Sequence, residues 1–115
     1  MAEVDQLITD WLTVPDVAER LGIDVAKVRQ LLRERKLLAV RAEGVLRVPA
    51  AFIQHGAVLK GLSGTLTVLA DAGFSDDEAL RWLFTPDNSL PGSPVQALTE
   101  NRGTEVKRRA QALAL

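Results

Sequence analysis

The 115-residue chain contains no cysteine. Without thiols there is no disulfide framework, no thiolate zinc site and no cysteine nucleophile, which removes several metal-binding and hydrolytic classes at once. Histidine is nearly absent too. The single imidazole, His55, has no second histidine or carboxylate beside it in sequence, and such a residue is structural or exposed far more often than it is a ligand or a base. No run approaches the ~18 apolar residues of a membrane span. The opening MAEVDQLITDW is acidic where a secretory leader would be basic, so a cytoplasmic location without membrane contact is the expectation. The stretch KGLSG at 60–64 lacks the spacing of a phosphate-binding loop and any strand before it. Acidic residues fall where helix caps account for them, so neither catalysis nor a cofactor is expected.

A net positive charge is also lacking. A net charge of -1 and a pI near 5.8 lie far from the basic balance, with pI above ~9, that usually marks a nucleic-acid-binding domain. The average conceals a segregation. Residues 1–24 carry six acids and one base, whereas residues 25–49 carry seven bases (Lys27, Arg29, Arg33, Arg35, Lys36, Arg41, Arg47) against Glu34 and Glu43. The remainder is close to neutral, with six bases against seven acids.

Hydrophobic residues make up 47% of the chain and charged residues 25%, proportions that suffice for a packed core in one domain or a domain with an attached lobe. In TVPDVAERLG the hydroxyl of Thr13 caps a helix, Pro15 stands in the first turn where a missing N–H costs nothing, and Asp16 closes the capping box. The helix therefore begins at Val14. Val14, Val17, Ala18 and Leu21 form one apolar stripe, with Asp16, Glu19 and Arg20 facing outward. Gly22 ends it in a left-handed conformation, Ile23 tucks back, and Asp24 caps a second helix over residues 25–36. That second helix buries Val28, Leu31 and Leu32 and projects Ala26, Lys27, Arg29, Gln30 and Arg33. The period then changes. LAVR at 38–41 and VLRV at 45–48 read as two strands joined by a three-residue loop, Ala42-Glu43-Gly44, with Val40, Leu46 and Val48 on one side and Arg41 and Arg47 together on the other.

The stretch LTVPDVAERLGIDVAKVRQLLRERKLLAVRAEGVLRVP resembles the winged helix-turn-helix of the MerR and excisionase type, in particular small actinobacterial winged-helix DNA-binding proteins, a group that includes a substrate of a membrane Ser/Thr kinase. RWLFTPDNSL extends the likeness toward the C-terminus. The resemblance implies double-stranded DNA as partner, the helix 25–36 in the major groove and the wing 38–48 on the flanking backbone, with Ala26, Lys27, Arg29, Gln30, Arg33, Arg35, Lys36, Arg41 and Arg47 as the contacting residues. Arg33 is suited to guanine and Gln30 to adenine. If about five cations meet phosphates, log affinity should fall against log salt with a slope of roughly -4 to -5. The resemblance also brings in a Ser/Thr kinase partner, although Thr9 and Thr13 have ordinary readings as a surface residue and a cap.

Beyond Pro49, Ala50 to Ile53 starts a short helical turn with Phe52 in the core. Residues 58–72 read as a longer helix whose Leu59, Leu62, Leu66 and Leu69 form a core-facing stripe or, alternatively, a homodimer seam. Ser75-Asp76-Asp77-Glu78 is a second capping box, ahead of inward Ala79, Leu80 and Leu83. TPDNSLPGS at 85–93 is a loop, SPVQ at 93–96 starts a capped helix in which Gln96 closes the box, and a last helix runs over 104–114. In that helix Val106, Ala110 and Leu113 oppose Lys107, Arg108 and Arg109. The phrase GFSDDEALRWLFTPDNSLPGSPVQAL also resembles the toxin-binding region of certain antitoxins, which implies a toxin-like protein partner.

The expected architecture is mainly α with a small β-hairpin wing, a winged helix-turn-helix over residues 1–57 followed by a helical lobe over 58–115. The expected function is DNA binding by a transcriptional regulator; the alternative is a protein-interaction or antitoxin-like adaptor that works through the helical lobe.

Overall fold

Thr13 sits at the junction from which the fold develops. In the computed structural model, which describes residues 6–114, its hydroxyl accepts from the Asp16 N–H and Asp16 returns the bond to the Thr13 N–H, both at 3.2 Å. The box starts α1 (Val14–Leu21). Gly22, at φ 70°, ends it, and the Ile23 N–H bonds back to the Ala18 carbonyl at 3.0 Å. Asp24 then caps α2 (Val25–Arg33) through the Lys27 N–H at 2.8 Å. Local signals account for both starts and for the turn between them.

Helix α2 is shorter than the expected 25–36. Arg35 adopts the left-handed conformation at φ 57°, while the N–H of Lys36 bonds to Leu31 and that of Arg35 to Leu32, a paired closure that ends the helix at Arg33. Glycine or asparagine occupies the equivalent place after other helices, at Gly22, Gly73 and Asn101. An arginine there carries ~1–2 kcal/mol of steric cost, which is why the residue type did not announce a stop.

Three strands form the wing sheet: β1 (Trp11–Thr13), β2 (Val40–Ala42) and β3 (Val45–Pro49), in the order β1-β3-β2, all antiparallel. β1 had no sequence signal of its own, and β2 begins two residues later than expected. The β2–β3 turn contains two residues rather than three. Glu43 and Gly44 both take positive φ, 52° and 79°, the requirement of the tight primed turn whose twist matches a hairpin. Register changes with it: Val40 pairs with Arg47 and Arg41 with Leu46. Directly opposed residues share a face, so Arg41 lies with Leu46 while Arg47 lies with Val40 on the other side. The expectation that Arg41 and Arg47 project together is therefore incorrect, by one residue of register.

Residues 50–52 form a 3-10 turn that places Phe52 fully inside. A second small hairpin follows, β4 (Ile53–Gln54) with β5 (Ala57–Val58), turning at His55 and Gly56, both at positive φ. This occupies the start of the helix expected over 58–72, which instead begins after Gly61 as α3 (Leu62–Asp71). Leu59, Leu62, Leu66 and Leu69 are all buried within the chain, so this stripe is core and not a dimer seam.

The lobe continues as α4 (Asp76–Phe84), α5 (Pro94–Thr99) and α6 (Gly103–Ala112). Ser75 and Glu78 close the capping box of α4. Ser93 caps α5, but the Gln96 amide donates to Glu100 at 3.3 Å and does not return to the cap. On α6, Val106 and Ala110 are buried whereas Leu113 is 42% exposed, beyond the last turn. Arg109 does not join an outward basic cluster: its Nε donates to Ser89 Oγ at 2.7 Å and its terminal nitrogen to the Ser89 carbonyl at 2.9 Å, which pins the 85–93 loop to α6.

One continuous buried cluster runs from Ile8 and Val17 through Phe52 to Leu80, Leu83 and Val106. The Phe52 and Phe84 rings meet at 5.7 Å across the two regions. Burying a side chain of that size stabilises by ~1.5–3 kcal/mol, and here the gain couples wing and lobe. No helix among the described residues is long and apolar enough to cross a membrane.

Candidate nucleic-acid interface

An α-helix turns by ~100° per residue. Around α2 the exposed side chains therefore follow one another as Arg29, Arg33, Ala26, Gln30, Glu34 at the cap, and Lys27. Val28 points into the core at 0% exposure, flanked by half-buried Leu31 and Leu32. The helix is held by one face and open on the other. Five of the nine predicted contact residues, Ala26, Lys27, Arg29, Gln30 and Arg33, share that open face.

The wing adds one more. Arg29 and Arg41 line the same groove, together with Thr13, Pro15, Gly44 and Leu46. Arg41 donates to the Gly44 carbonyl at 3.1 Å, a bond that steadies the turn and keeps the guanidinium on the groove side of the hairpin. Two positive charges lining one groove repel each other, and an anion seated between them offsets that repulsion. This arrangement suits a phosphate.

The other three cations are drawn elsewhere. Arg47 is half-buried, with its guanidinium over the Trp11 ring at 4.7 Å, and the Trp11 Nε1 in turn donates to the Ile8 carbonyl at 3.1 Å. Cross-strand pairing of Thr13 with Arg47 brings Trp11 into diagonal reach. Arg35 forms an ion pair with Asp76 at 2.9 Å, in the first turn of α4. Lys36 stands 3.5 Å from Glu34.

Two participants were not foreseen. Trp11 serves as the platform for Arg47, and its strand is too short to show a period. Glu34 accepts from Gln30 Nε2 at 3.0 Å; here a signal existed, since residues four apart on a helix are neighbours. The Gln30 hydrogen bond, followed by attraction to Lys36, holds the Glu34 carboxyl below its ordinary range. Among the described residues, no cluster of three His, Asp or Glu side chains is placed to hold a metal ion.

The chain is similar to DNA-binding protein Rv2175c of Mycobacterium tuberculosis (strain ATCC 25618 / H37Rv), at 48% identity over 88% of this chain and 78% of that protein. The solved NMR structure of Rv2175c superposes with a TM-score of 0.83 at 44% identity, covering 92% of this chain and 82% of the other. An excisionase of Streptomyces ambofaciens is 42% identical over 40 residues, 35% of this chain and 64% of that protein. Residues 2–53 match the family model of the winged helix-turn-helix (wHTH) domain of DNA-binding protein Rv2175c, and residues 59–114 match the model of the Rv2175c C-terminal domain of unknown function. The two family models, the sequence identity and the common fold extend over most of both chains: this protein belongs to the Rv2175c family of wHTH DNA-binding proteins.

Proposed function

We propose that this chain binds double-stranded DNA as a transcriptional regulator, with α2 in the major groove and the β2–β3 hairpin against the flanking backbone. The observation that carries the reading is the open face of α2, where Lys27, Arg29 and Arg33 stand beside Ala26 and Gln30 and share a groove with Arg41. Major grooves admit a helix of this width, and base edges there distinguish all four pairs. Phosphate contacts set the register and the exposed positions of α2 read sequence, Gln30 being suited to adenine. The similarity to DNA-binding protein Rv2175c and the partial match to an excisionase support DNA binding.

Site membership is narrower than the sequence implied. Lys27, Arg29, Arg33 and Arg41 form the phosphate-binding set; Arg35 and Arg47 hold the fold around it. Four contacts give a slope of log affinity against log salt of roughly -3.5. Gel retardation of duplex DNA at several salt concentrations measures this directly. Replacing Arg29, Arg33 and Arg41 with alanine should weaken binding on every duplex and flatten the slope by about 3, with circular dichroism unchanged. Unaltered affinity and slope in that variant would overturn the proposal.

A further inference from the structure

Gln30 and Glu34 lie one turn apart on the exposed side of α2, joined by the 3.0 Å bond from Gln30 Nε2 to Glu34 Oε2. An ionised carboxylate only accepts hydrogen bonds, so the amide must turn its nitrogen toward Glu34. On the far side, Lys36 Nζ stands 3.5 Å from Glu34 Oε1. The acid is thus clasped between an amide and an ammonium, and both favour its charged form at neutral pH. A fixed negative charge beside a surface proposed to meet phosphates weakens binding to any duplex. Capping does not explain it, because acids stabilise helix beginnings and Glu34 ends one.

We propose that Glu34 is a specificity-determining residue, one that orients the Gln30 amide for base reading and disfavours DNA lacking the matching base edge. The inference rests on the DNA-binding reading above. With one amide hydrogen committed to Glu34, Gln30 retains its Oε1 and a second N–H, the acceptor and donor that adenine N6 and N7 require. A neutral amide in place of the carboxylate can donate as well as accept, so either orientation of the Gln30 amide is satisfied and other base edges are read. On an unmatched duplex the charge of Glu34 is left facing phosphates with no compensating base contact. Discrimination through a built-in repulsive element is a recognised physical route to specificity.

The test uses full-length wild type, E34Q, Q30A and the Q30A/E34Q double variant. Bound sequences are selected from a random duplex pool, and each protein is then titrated against the wild-type selected duplex and an unrelated one at two salt concentrations. E34Q should bind the unrelated duplex about fivefold more tightly at low salt and lose about fivefold or more of its preference at one base pair. In the Q30A background that second effect should vanish, because the group being oriented is already gone. Identical selected sequences and identical unrelated-duplex affinity for wild type and E34Q would overturn the inference. A loss of preference that persists in full in the Q30A background would do so too. Failure of wild type to retard any duplex at low salt overturns the DNA-binding reading itself, and is distinguishable from an E34Q that behaves as wild type.

Discussion

Arg41 and Arg47 look interchangeable in sequence, six residues apart in one hairpin. In the fold they are assigned to different work. Arg41 faces the groove it shares with Arg29, while Arg47 lies half-buried over Trp11. A guanidinium on an aromatic face contributes ~0.5–1 kcal/mol at exposed sites and more as solvent is excluded, and its stem adds apolar packing. Arg47→Ala should therefore lower unfolding stability by about 1 kcal/mol in urea titration, with little change in the salt slope of DNA binding. Arg41→Ala should do the reverse, flattening that slope by about 1 and leaving the urea midpoint in place. Arg35 belongs with Arg47. Its backbone is held in a conformation that disfavours it, and its head group is turned to Asp76 in the helical lobe.

Among the elements, the hairpin is where a small local choice has the widest effect. Glu43 occupies the first position of a tight turn at φ 52°, where asparagine is preferred because its short side chain tolerates the left-handed region. Glu43→Asn should raise stability by up to about 1 kcal/mol, read as a higher midpoint in thermal unfolding, without shifting register. Helices, by contrast, were legible. Thr13, Asp16, Gly22, Asp24, Ser75 and Glu78 each act within four residues of their own position, and each hydrogen bond they imply is present. The shorter strands were not, because two or three residues carry no detectable alternation and gain their identity only from a partner far along the chain. β1 exists because β3 pairs with it across 34 to 38 residues, Thr13 against Arg47 at one end and Trp11 against Pro49 at the other. The end of α2 was hidden for a different reason: an arginine stands where glycine or asparagine usually marks a stop.

At the scale of the molecule, wing and lobe share one buried cluster, so charge effects on the lobe's caps reach the whole fold. Ser75 hydrogen bonds hold the Glu78 carboxyl below its ordinary range, and Ser89 does the same for Asp87 in the loop that Arg109 pins. A carboxyl whose folded pKa is depressed adds stability that is complete above its unfolded pKa and is lost as pH falls through its folded value. Thermal midpoints should consequently be level near neutrality and decline from about pH 5 downward. Glu78→Gln should start lower at pH 7 and show a shallower decline. An equal slope in both proteins would place the acid sensitivity elsewhere.

The sequence by itself determined the helix beginnings that carry a side-chain cap, the glycine-marked helix ends, the core stripes and the segregation of positive charge onto residues 25–49, because each is set by neighbours a few positions away or by composition. Tertiary structure alone decided which of those cations face a groove. That outcome turns on one residue of strand register, on a tryptophan brought across the sheet and on an aspartate from the lobe. Such contacts join residues distant in sequence, and a period of two inverts every side chain when the pairing slips by one.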